Sequence, residues 1–150
     1  MTIHHGHCRC GEAQFEVEGP PLLTAACHCE GCQRMTGSAF SLSALYSEEG
    51  FRSLAGETVL GGLKGPTRHY FCKSCLSWLF TRPEGLNAMV NIRTPMLERP
   101  EHFPPFAEFY LDQGIPGAAT GATRRFTDAP DTDAFFALTR EYASWGGRPA

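Results

Sequence analysis

The residues best able to do chemistry in this sequence are its cysteines, because seven thiols occur in 150 residues and lie close together. They form three groups: Cys8 with Cys10 (CRC), Cys72 with Cys75 (CKSC), and the three cysteines of CHCEGC between them. Thiolates separated by one or two residues can converge on one metal ion, and zinc is the ion that such spacings favour. The sequence therefore predicts metal sites rather than isolated thiols.

The first and last groups together fit a closed zinc site. Structural zinc is tetrahedral and takes four protein ligands. Cys72 and Cys75 lie between two predicted strands, so a hairpin turn would present both sulfurs on one side. Gly11 follows Cys10 and would help the first pair to turn toward the same ion. We therefore predict a structural zinc site formed by Cys8, Cys10, Cys72 and Cys75, which would tie the start of the chain to its middle.

The remaining group consists of Cys27, Cys29 and Cys32, and no fourth cysteine is left for it. Three protein ligands and one exchangeable position are typical of a catalytic zinc. With three thiolates the ion would carry a formal charge of about −1, which makes it a weak Lewis acid and a poor generator of hydroxide. An incoming thiol could instead bind as a thiolate nucleophile. We therefore predict a second, catalytic zinc at these three cysteines, suited to sulfur chemistry.

Two other interpretations of this group remain open at the level of sequence. A fourth protein ligand would close the site, and the candidates are His7, His28, Glu30 and His69. His28 lies between two of the cysteines, so we expect it to orient a sulfur or to hydrogen-bond behind the ligands, whereas His69 could approach from the strand before CKSC. CEGC or CKSC could also be a thioredoxin-like redox pair, but neither is predicted to follow a strand and open a helix in a βαβ unit.

Short strands are predicted to position these groups. Apolar and polar residues alternate over residues 13–18 before a Gly-Pro-Pro turn, which is typical of a strand. Residues 39–46 alternate in the same way, with Phe40, Leu42 and Ala44 on one predicted face. Further strands are predicted at residues 57–60, 68–71, 77–81, 88–93 and 107–111. Helical patterns are weak before residue 130, so the chain is predicted to be mainly β.

The C-terminal part of the chain has a different pattern. Residues 95–121 are rich in Pro, Gly and Phe, which favours an irregular segment that either covers a site or packs as a connection. Residues 132–145 are predicted to form a helix, because Phe135, Leu138, Tyr142 and Trp145 would share one face. Asp131 or Thr132 would cap its start. Because no repeat or linker interrupts the chain, we expect one domain over residues 1–150.

The overall composition limits the classes of function. A net charge of −3 gives no electrostatic reason to expect a nucleic acid or an acidic membrane surface as a partner. No apolar run has the length of a signal peptide or of a membrane-spanning helix. We therefore expect a cytoplasmic protein with no membrane partner. In that reducing compartment, clustered cysteines indicate metal binding or catalysis rather than disulfides.

Three stretches, HCRCGEAQFEVEG, ACHCEGCQRMTGSAF and RHYFCKSCLSWLF, resemble the glutathione-dependent formaldehyde-activating enzyme family, whose domain is shared with centromere protein V. The resemblance covers about residues 5–115. It implies a β-tent of stacked antiparallel sheets with zinc knuckles, and a short C-terminal helix follows from the pattern above. It also implies a structural zinc at the CxC and CxxC groups and a second zinc at the CxCxxC group. One departure is Leu76, which follows CKSC where many relatives have glycine.

The family's namesake reaction joins glutathione to formaldehyde, giving S-hydroxymethylglutathione, and is classed as a carbon–sulfur lyase reaction. By this resemblance, a small-molecule thiol such as glutathione would bind at the second zinc and add to an aldehyde. Arg34 could meet a glutathione carboxylate or form an ion pair on the surface. The alternative is a non-catalytic zinc module that binds a protein or chromatin, as centromere protein V suggests. The negative net charge favours the enzyme. The sequence does not predict the oligomeric state.

Overall fold

The computed structural model describes all 150 residues, Met1–Ala150, and contains eleven strands and two α-helices. The predicted mainly β fold is therefore confirmed. The strands are β1 (Ile3–His7), β2 (Gln14–Glu18), β3 (Leu23–Cys27), β4 (Ser41–Ser47), β5 (Phe51–Ala55), β6 (Thr58–Gly61), β7 (Arg68–Cys72), β8 (Trp78–Arg82), β9 (Met89–Arg93), β10 (Ala107–Phe109) and β11 (Arg124–Arg125). The helices are α1 (Glu30–Thr36) and α2 (Thr132–Ala143). Neither helix is long and apolar enough to cross a membrane.

The strands form two sheets. The smaller sheet has the order β1-β2-β5, and the larger sheet has the order β11-β10-β3-β4-β9-β8-β7-β6. Neighbouring strands are antiparallel except around β10, which runs parallel to both β3 and β11. The long connection between β9 and β10 allows this parallel pairing, because parallel neighbours need a crossover rather than a hairpin.

The main core lies between the two sheets. Phe15 and Val17 of β2 are buried, and they join Tyr46 of β4 and Ile92 of β9 in one apolar cluster. Burying an aromatic or branched side chain of this size stabilises the fold by roughly 1.5–3 kcal/mol. Gly6 permits the close approach of β1, because a Cβ there would lie 2.3 Å from the Phe15 ring. The apolar residues of the alternation predicted for residues 13–18 thus form the face of β2 that packs on the larger sheet.

Helix α2 covers the opposite face of the larger sheet. Leu138 and Tyr142 pack there against a second apolar cluster that includes Phe106. Asp131 caps the helix, since its carboxylate accepts a hydrogen bond from the backbone N–H of Ala134 at 2.8 Å. The helix ends two residues earlier than predicted, but the Trp145 ring still lies 5.1 Å from that of Phe106. The predicted helix and its cap are confirmed.

Strands β3 and β4 differ from their predictions because both faces of each strand are buried. In β4 the serines Ser41 and Ser43 are buried, as is Ala44, so the predicted division into an apolar and a polar face is wrong. Strand β3 escaped prediction because four of its five residues are buried and nothing alternates. Residues 95–121 form a packed connection rather than a lid, since Phe103 and Phe106 belong to the core.

Candidate metal centres and the adjoining pocket

The four-cysteine cluster, formed by Cys8, Cys10, Cys72 and Cys75, joins the two sheets. Cys8 and Cys10 lie in the turn between β1 and β2, whereas Cys72 ends β7 and Cys75 lies in the turn before β8. All four sulfurs lie within 4.8 Å of one another, with Cys10 Sγ 3.4 Å from Cys8 Sγ and 3.8 Å from Cys72 Sγ. Sulfurs around a tetrahedral zinc are about 3.8 Å apart, given Zn–S bonds of about 2.3 Å. The donor set and its spacing therefore fit zinc.

Neighbouring hydrogen-bond donors favour the thiolate form of two cysteines in this cluster. Burial raises the pKa of Cys8, but the backbone N–H of Ala13, which donates to Cys8 Sγ at 3.3 Å, helps to bring this pKa below its ordinary value. The Ser77 hydroxyl lies 3.2 Å from Cys75 Sγ, and this contact together with nearby backbone hydrogen bonds lowers the pKa of Cys75 to about 5. A backbone hydrogen bond lowers the pKa of Cys10, but the contact with Cys8 and burial outweigh it and raise this pKa to about 12. Metal ligation requires deprotonated cysteines, so an ion that binds here releases the remaining protons.

Leu76 closes the CKSC turn in a conformation that suits glycine better. Its backbone N–H donates to the Cys72 carbonyl oxygen at 2.9 Å, and its φ is +59°. The left-handed region costs a residue with a Cβ roughly 1–2 kcal/mol. Leu76→Gly is therefore expected to raise the free energy of unfolding by up to about 1 kcal/mol, because the extra chain entropy of glycine cancels only part of this relief. Urea denaturation of the zinc-loaded protein measures the change.

Leu63→Gly is the matched control for this prediction. Leu63 is also an exposed leucine, with its side chain 100% accessible, but its backbone is not left-handed. Glycine should therefore give no gain there and should cost a few tenths of a kcal/mol through chain entropy. If Leu76→Gly lowers the free energy of unfolding as much as Leu63→Gly does, the backbone at Leu76 in the CKSC turn is not strained.

The three-cysteine cluster, formed by Cys27, Cys29 and Cys32, lies where β3 passes into α1. Cys27 ends β3, Cys29 caps the N-terminus of α1, and Cys32 lies in the first turn of that helix. The three sulfurs lie within 4.8 Å of one another, and the group includes no histidine or carboxylate ligand atom. The sulfurs can therefore occupy three corners of a tetrahedral zinc site.

The cluster releases its first proton readily. Hydrogen bonds from the thiols of Cys27 and Cys32 lower the pKa of Cys29, and the same contact with Cys29 raises the pKa of Cys27. The backbone N–H of Cys32 also donates to Cys29 Sγ at 3.4 Å. Cys29 is therefore the thiol that ionises first and the natural first ligand for an incoming cation.

None of the proposed fourth protein ligands places a ligand atom among the three sulfurs. His69 Nδ1 lies 2.8 Å from Thr81 Oγ1, and His7 Nδ1 donates to the Cys8 carbonyl oxygen at 2.8 Å. Glu30 is exposed in the first turn of α1. Burial, followed by the positive charge of Arg93, lowers the pKa of His69. The geometry thus favours a three-ligand site over the closed alternative.

CEGC follows β3, a strand that was not predicted, and opens α1. However, β4 pairs antiparallel with β3, so CEGC does not lie in a βαβ unit, as predicted. The thioredoxin-like interpretation therefore gains no support from the topology.

His28 is held behind the three-cysteine cluster by a buried carboxylate. Its Nε2 donates to Glu108 Oε1 at 2.9 Å, and the backbone N–H of Thr120 donates to the same oxygen at 2.7 Å. Burial raises the pKa of Glu108, but the hydrogen bonds from Thr120 and His28 outweigh it and hold this pKa below its ordinary value of 4.5. The ionised carboxylate therefore stabilises the fold above that pH, and its contribution is lost as the pH falls. Glu108 was not predicted as a site residue, because β10 was predicted only as a short strand within an irregular segment.

Glu108→Gln is expected to weaken zinc binding at the three-cysteine cluster about 10- to 100-fold, because partners behind metal ligands commonly contribute that much. The amide cannot provide the ionised acceptor that fixes His28 between two ligands. Competition with a chromophoric chelator measures the two zinc affinities, and that of the four-cysteine cluster should not change. Glu101→Gln is the control, since Glu101 is an exposed acid paired with Arg99. Unchanged affinity in Glu108→Gln would show that this carboxylate does not support the site.

A cavity of about 450 Å³ is lined by residues that neighbour both clusters, although no cysteine lines it. One wall adjoins the three-cysteine cluster: Ser41 lies opposite Cys27 in the β3–β4 pairing, and the Thr36 hydroxyl donates to the Cys32 carbonyl oxygen at 2.8 Å. The other wall, Leu76 to Trp78, directly follows the four-cysteine cluster. A molecule bound at the three-cysteine cluster could therefore extend into this pocket.

Arg93 is the only charged residue that lines the pocket. It is 6% exposed, its Nη1 donates to Ser41 Oγ at 3.3 Å, and its guanidinium lies 4.1 Å from the Trp78 ring centre. Burial lowers the pKa of Arg93 to about 10, and the nearby cysteines raise it, so the side chain stays charged at neutral pH. In the sequence, Arg93 is only the last residue of a predicted strand. The available signal was a charged residue at the end of a segment that is apolar apart from Asn91.

Arg34, the predicted carboxylate partner, lies elsewhere. It is exposed in the last turn of α1 and does not line the pocket. It forms no ion pair either. The structure therefore supports neither role suggested for Arg34.

Comparisons with known proteins agree with this geometry. The family model for glutathione-dependent formaldehyde-activating enzyme matches residues 3–113, which include both cysteine clusters. The fold is similar to the crystal structure of a Rhodobacter sphaeroides protein, with a TM-score of 0.51, 18% sequence identity, and coverage of 81% of this chain and 98% of that one. No curated protein matches the sequence.

Proposed function

Since this chain belongs to the glutathione-dependent formaldehyde-activating enzyme family, we propose that it is a zinc-dependent enzyme of carbon–sulfur lyase type. It would act on the adduct of a thiol such as glutathione with an aldehyde such as formaldehyde. The observation that carries the proposal is the three-cysteine cluster, whose sulfurs converge within 4.8 Å without a fourth protein ligand. The adjoining pocket gives room for a substrate beside it.

Cys27, Cys29 and Cys32 would hold the catalytic zinc, and the four-cysteine cluster would hold the structural one. Zinc bound by three thiolates would lower the pKa of a fourth thiol and keep it as a thiolate. The chain's own contribution is to fix the three sulfurs. Cys29 is held as the cap of α1, and His28 is anchored to Glu108 between two of the ligands.

The bond changes balance without an oxidant or reductant. The thiol loses its proton, its sulfur adds to the aldehyde carbon, and the electron pair of the C=O π bond moves to oxygen. The same proton is then returned to that oxygen, giving a hydroxyalkyl thioether. The reverse sequence is the lyase direction. The apolar side chains of the pocket would keep water away from this transfer.

Metal counting with a chelator tests the proposal. The zinc-loaded protein should contain two zinc ions per chain, and one should be lost readily to a chelator because a three-thiolate site leaves a position open to attack. Glutathione should slow this loss by occupying that position, and an S-methyl derivative of glutathione, which cannot ligate as a thiolate, should not. A second zinc that resists chelation and ignores thiols would refute the open site.

A further inference from the structure

The pocket beside the three-cysteine cluster is more apolar than formaldehyde or glutathione requires. Six of its twelve lining residues are hydrophobic: Met35, Phe40, Leu42, Leu76, Trp78 and Met96. Its volume of about 450 Å³ is that of a pocket for a drug-sized ligand. Formaldehyde has no apolar group to fill such a space, and glutathione presents mainly amide, carboxylate and ammonium groups. The lining therefore indicates that the substrate has an apolar group.

Leu76 contributes to this lining although its backbone conformation suits glycine. Its φ is +59°, and its side chain is 62% exposed beside the pocket, so packing in the core does not explain the leucine. Residues held in unfavourable backbone conformations are concentrated at functional sites. The side chain that glycine would lack is an apolar surface facing the pocket.

Arg93 supplies the pocket with one cationic group that lacks an anionic partner. The guanidinium donates to Ser41 Oγ and to the Asn91 carbonyl oxygen, its buried Nε has no partner, and no carboxylate lies within ion-pair distance. An isolated buried cation is costly, so an anion nearby stabilises it. Bound Zn²⁺ would leave a formal charge of about −1 on the three-cysteine cluster. That charge is spread over sulfurs to which the guanidinium is not hydrogen-bonded, since its hydrogen bonds go to Ser41 and Asn91. An anionic ligand group that enters the pocket can therefore pair with Arg93 directly.

On the basis of the proposed function, we infer that the thiol adduct handled by this chain has an apolar body and a single anionic group. The apolar body packs against Leu76 and Trp78, and the anionic group binds at Arg93. This assigns Leu76 and Arg93 as residues that determine substrate specificity.

Four small ligands separate these contributions when titrated calorimetrically into the zinc-loaded, full-length protein. 2-Mercapto-3-phenylpropanoate has the thiol, the ring and the carboxylate, 2-mercaptopropanoate lacks the ring, 2-phenylethanethiol lacks the carboxylate, and 3-phenylpropanoate lacks the thiol. We expect 2-mercapto-3-phenylpropanoate to bind at least about tenfold more tightly than each ligand that lacks one group, since burying a phenyl group or pairing a charge contributes at least that factor. Equal affinities for the three thiols would overturn the inference.

Substitutions of Leu76 and Arg93 test which residue causes each ligand preference. Leu76→Gly should weaken binding of the phenyl ligands several-fold and leave binding of 2-mercaptopropanoate unchanged, while the melting temperature does not fall. Arg93→Met should remove the preference for 2-mercapto-3-phenylpropanoate over the neutral phenyl thiol, and Arg93→Lys should restore part of it. If Arg93→Met does not fold, Leu76→Gly and the ligand series still decide the matter. Unchanged preferences in the folded variants would refute the assignment.

Failure of this inference can be distinguished from failure of the proposed function. If all thiols bind at the metal equally well and neither substitution matters, the specificity assignment is wrong and the thiol site stands. If 3-phenylpropanoate binds in a manner that depends on Leu76 and Arg93 but no thiol binds more tightly, the pocket assignment stands and the thiol chemistry does not.

Discussion

Replacing Cys72 with serine is expected to unfold most of the protein at 25 °C. Cys72 is 1% exposed at the end of β7, and its cluster connects that strand to the turn between β1 and β2 in the other sheet. Structural zinc in small domains binds with roughly 10–16 kcal/mol at neutral pH, whereas whole domains are stable by only about 5–15 kcal/mol. Weaker binding of this ion therefore removes a large part of the folding stability. The substitution also leaves the serine hydroxyl buried without a partner.

Circular dichroism and soluble yield measure this effect, with Cys29→Ser as the control. Both variants replace one of the clustered cysteines with serine, but Cys29 lies at a helix end rather than between the sheets. The Cys72 variant should lose its cooperative thermal transition, and the Cys29 variant should keep it. A Cys72 variant that melts like the wild type would show that the four-cysteine cluster does not stabilise the fold.

Replacing Cys29 with serine is expected to abolish the thiol chemistry and leave the fold intact. The substitution removes one of three ligands, so the zinc content should fall from two ions per chain to one and turnover should fall by more than about 100-fold. The local structure should survive because serine is itself a favoured helix cap, and its hydroxyl can accept the hydrogen bond that the N–H of Cys32 now gives to Cys29 Sγ.

His69→Gln is the matched comparison for this prediction. His69 was one of the proposed fourth ligands, and its Nδ1 contacts Thr81 rather than the cluster. This variant should therefore keep both zinc ions, which are counted by elemental analysis. Retained turnover in the Cys29 variant, or loss of one zinc in the His69 variant, would contradict the three-ligand site.

Local patterns were enough to predict the features that depend on near neighbours in the sequence. The cysteine spacings indicated both clusters, the position of CKSC between two strands is confirmed, and the spacing of Leu138 and Tyr142 indicated the buried face of α2. In each case the signal comes from residues that meet through one turn or one helical repeat.

Features created by long-range packing could not be predicted in the same way. Strand β3 is buried on both faces, so it lacks the alternation that marks a half-exposed strand. Glu108 meets His28 only because β10 pairs parallel with β3 across a long connection. Arg93 becomes a pocket residue only when β9 lies beside β4 and the guanidinium stacks on Trp78. None of these partners is close in sequence.

In the proposed function, the three-cysteine cluster binds zinc and leaves a position for a substrate sulfur. A crystal structure of the zinc-loaded protein, with separate crystals soaked in glutathione and in 2-mercapto-3-phenylpropanoate, would show whether it does. We expect a metal bound by Cys27, Cys29 and Cys32, with a ligand sulfur at about 2.3 Å in the fourth position. A protein side chain such as His69 or Glu30 in that position, or both thiols bound away from the metal, would refute the open site.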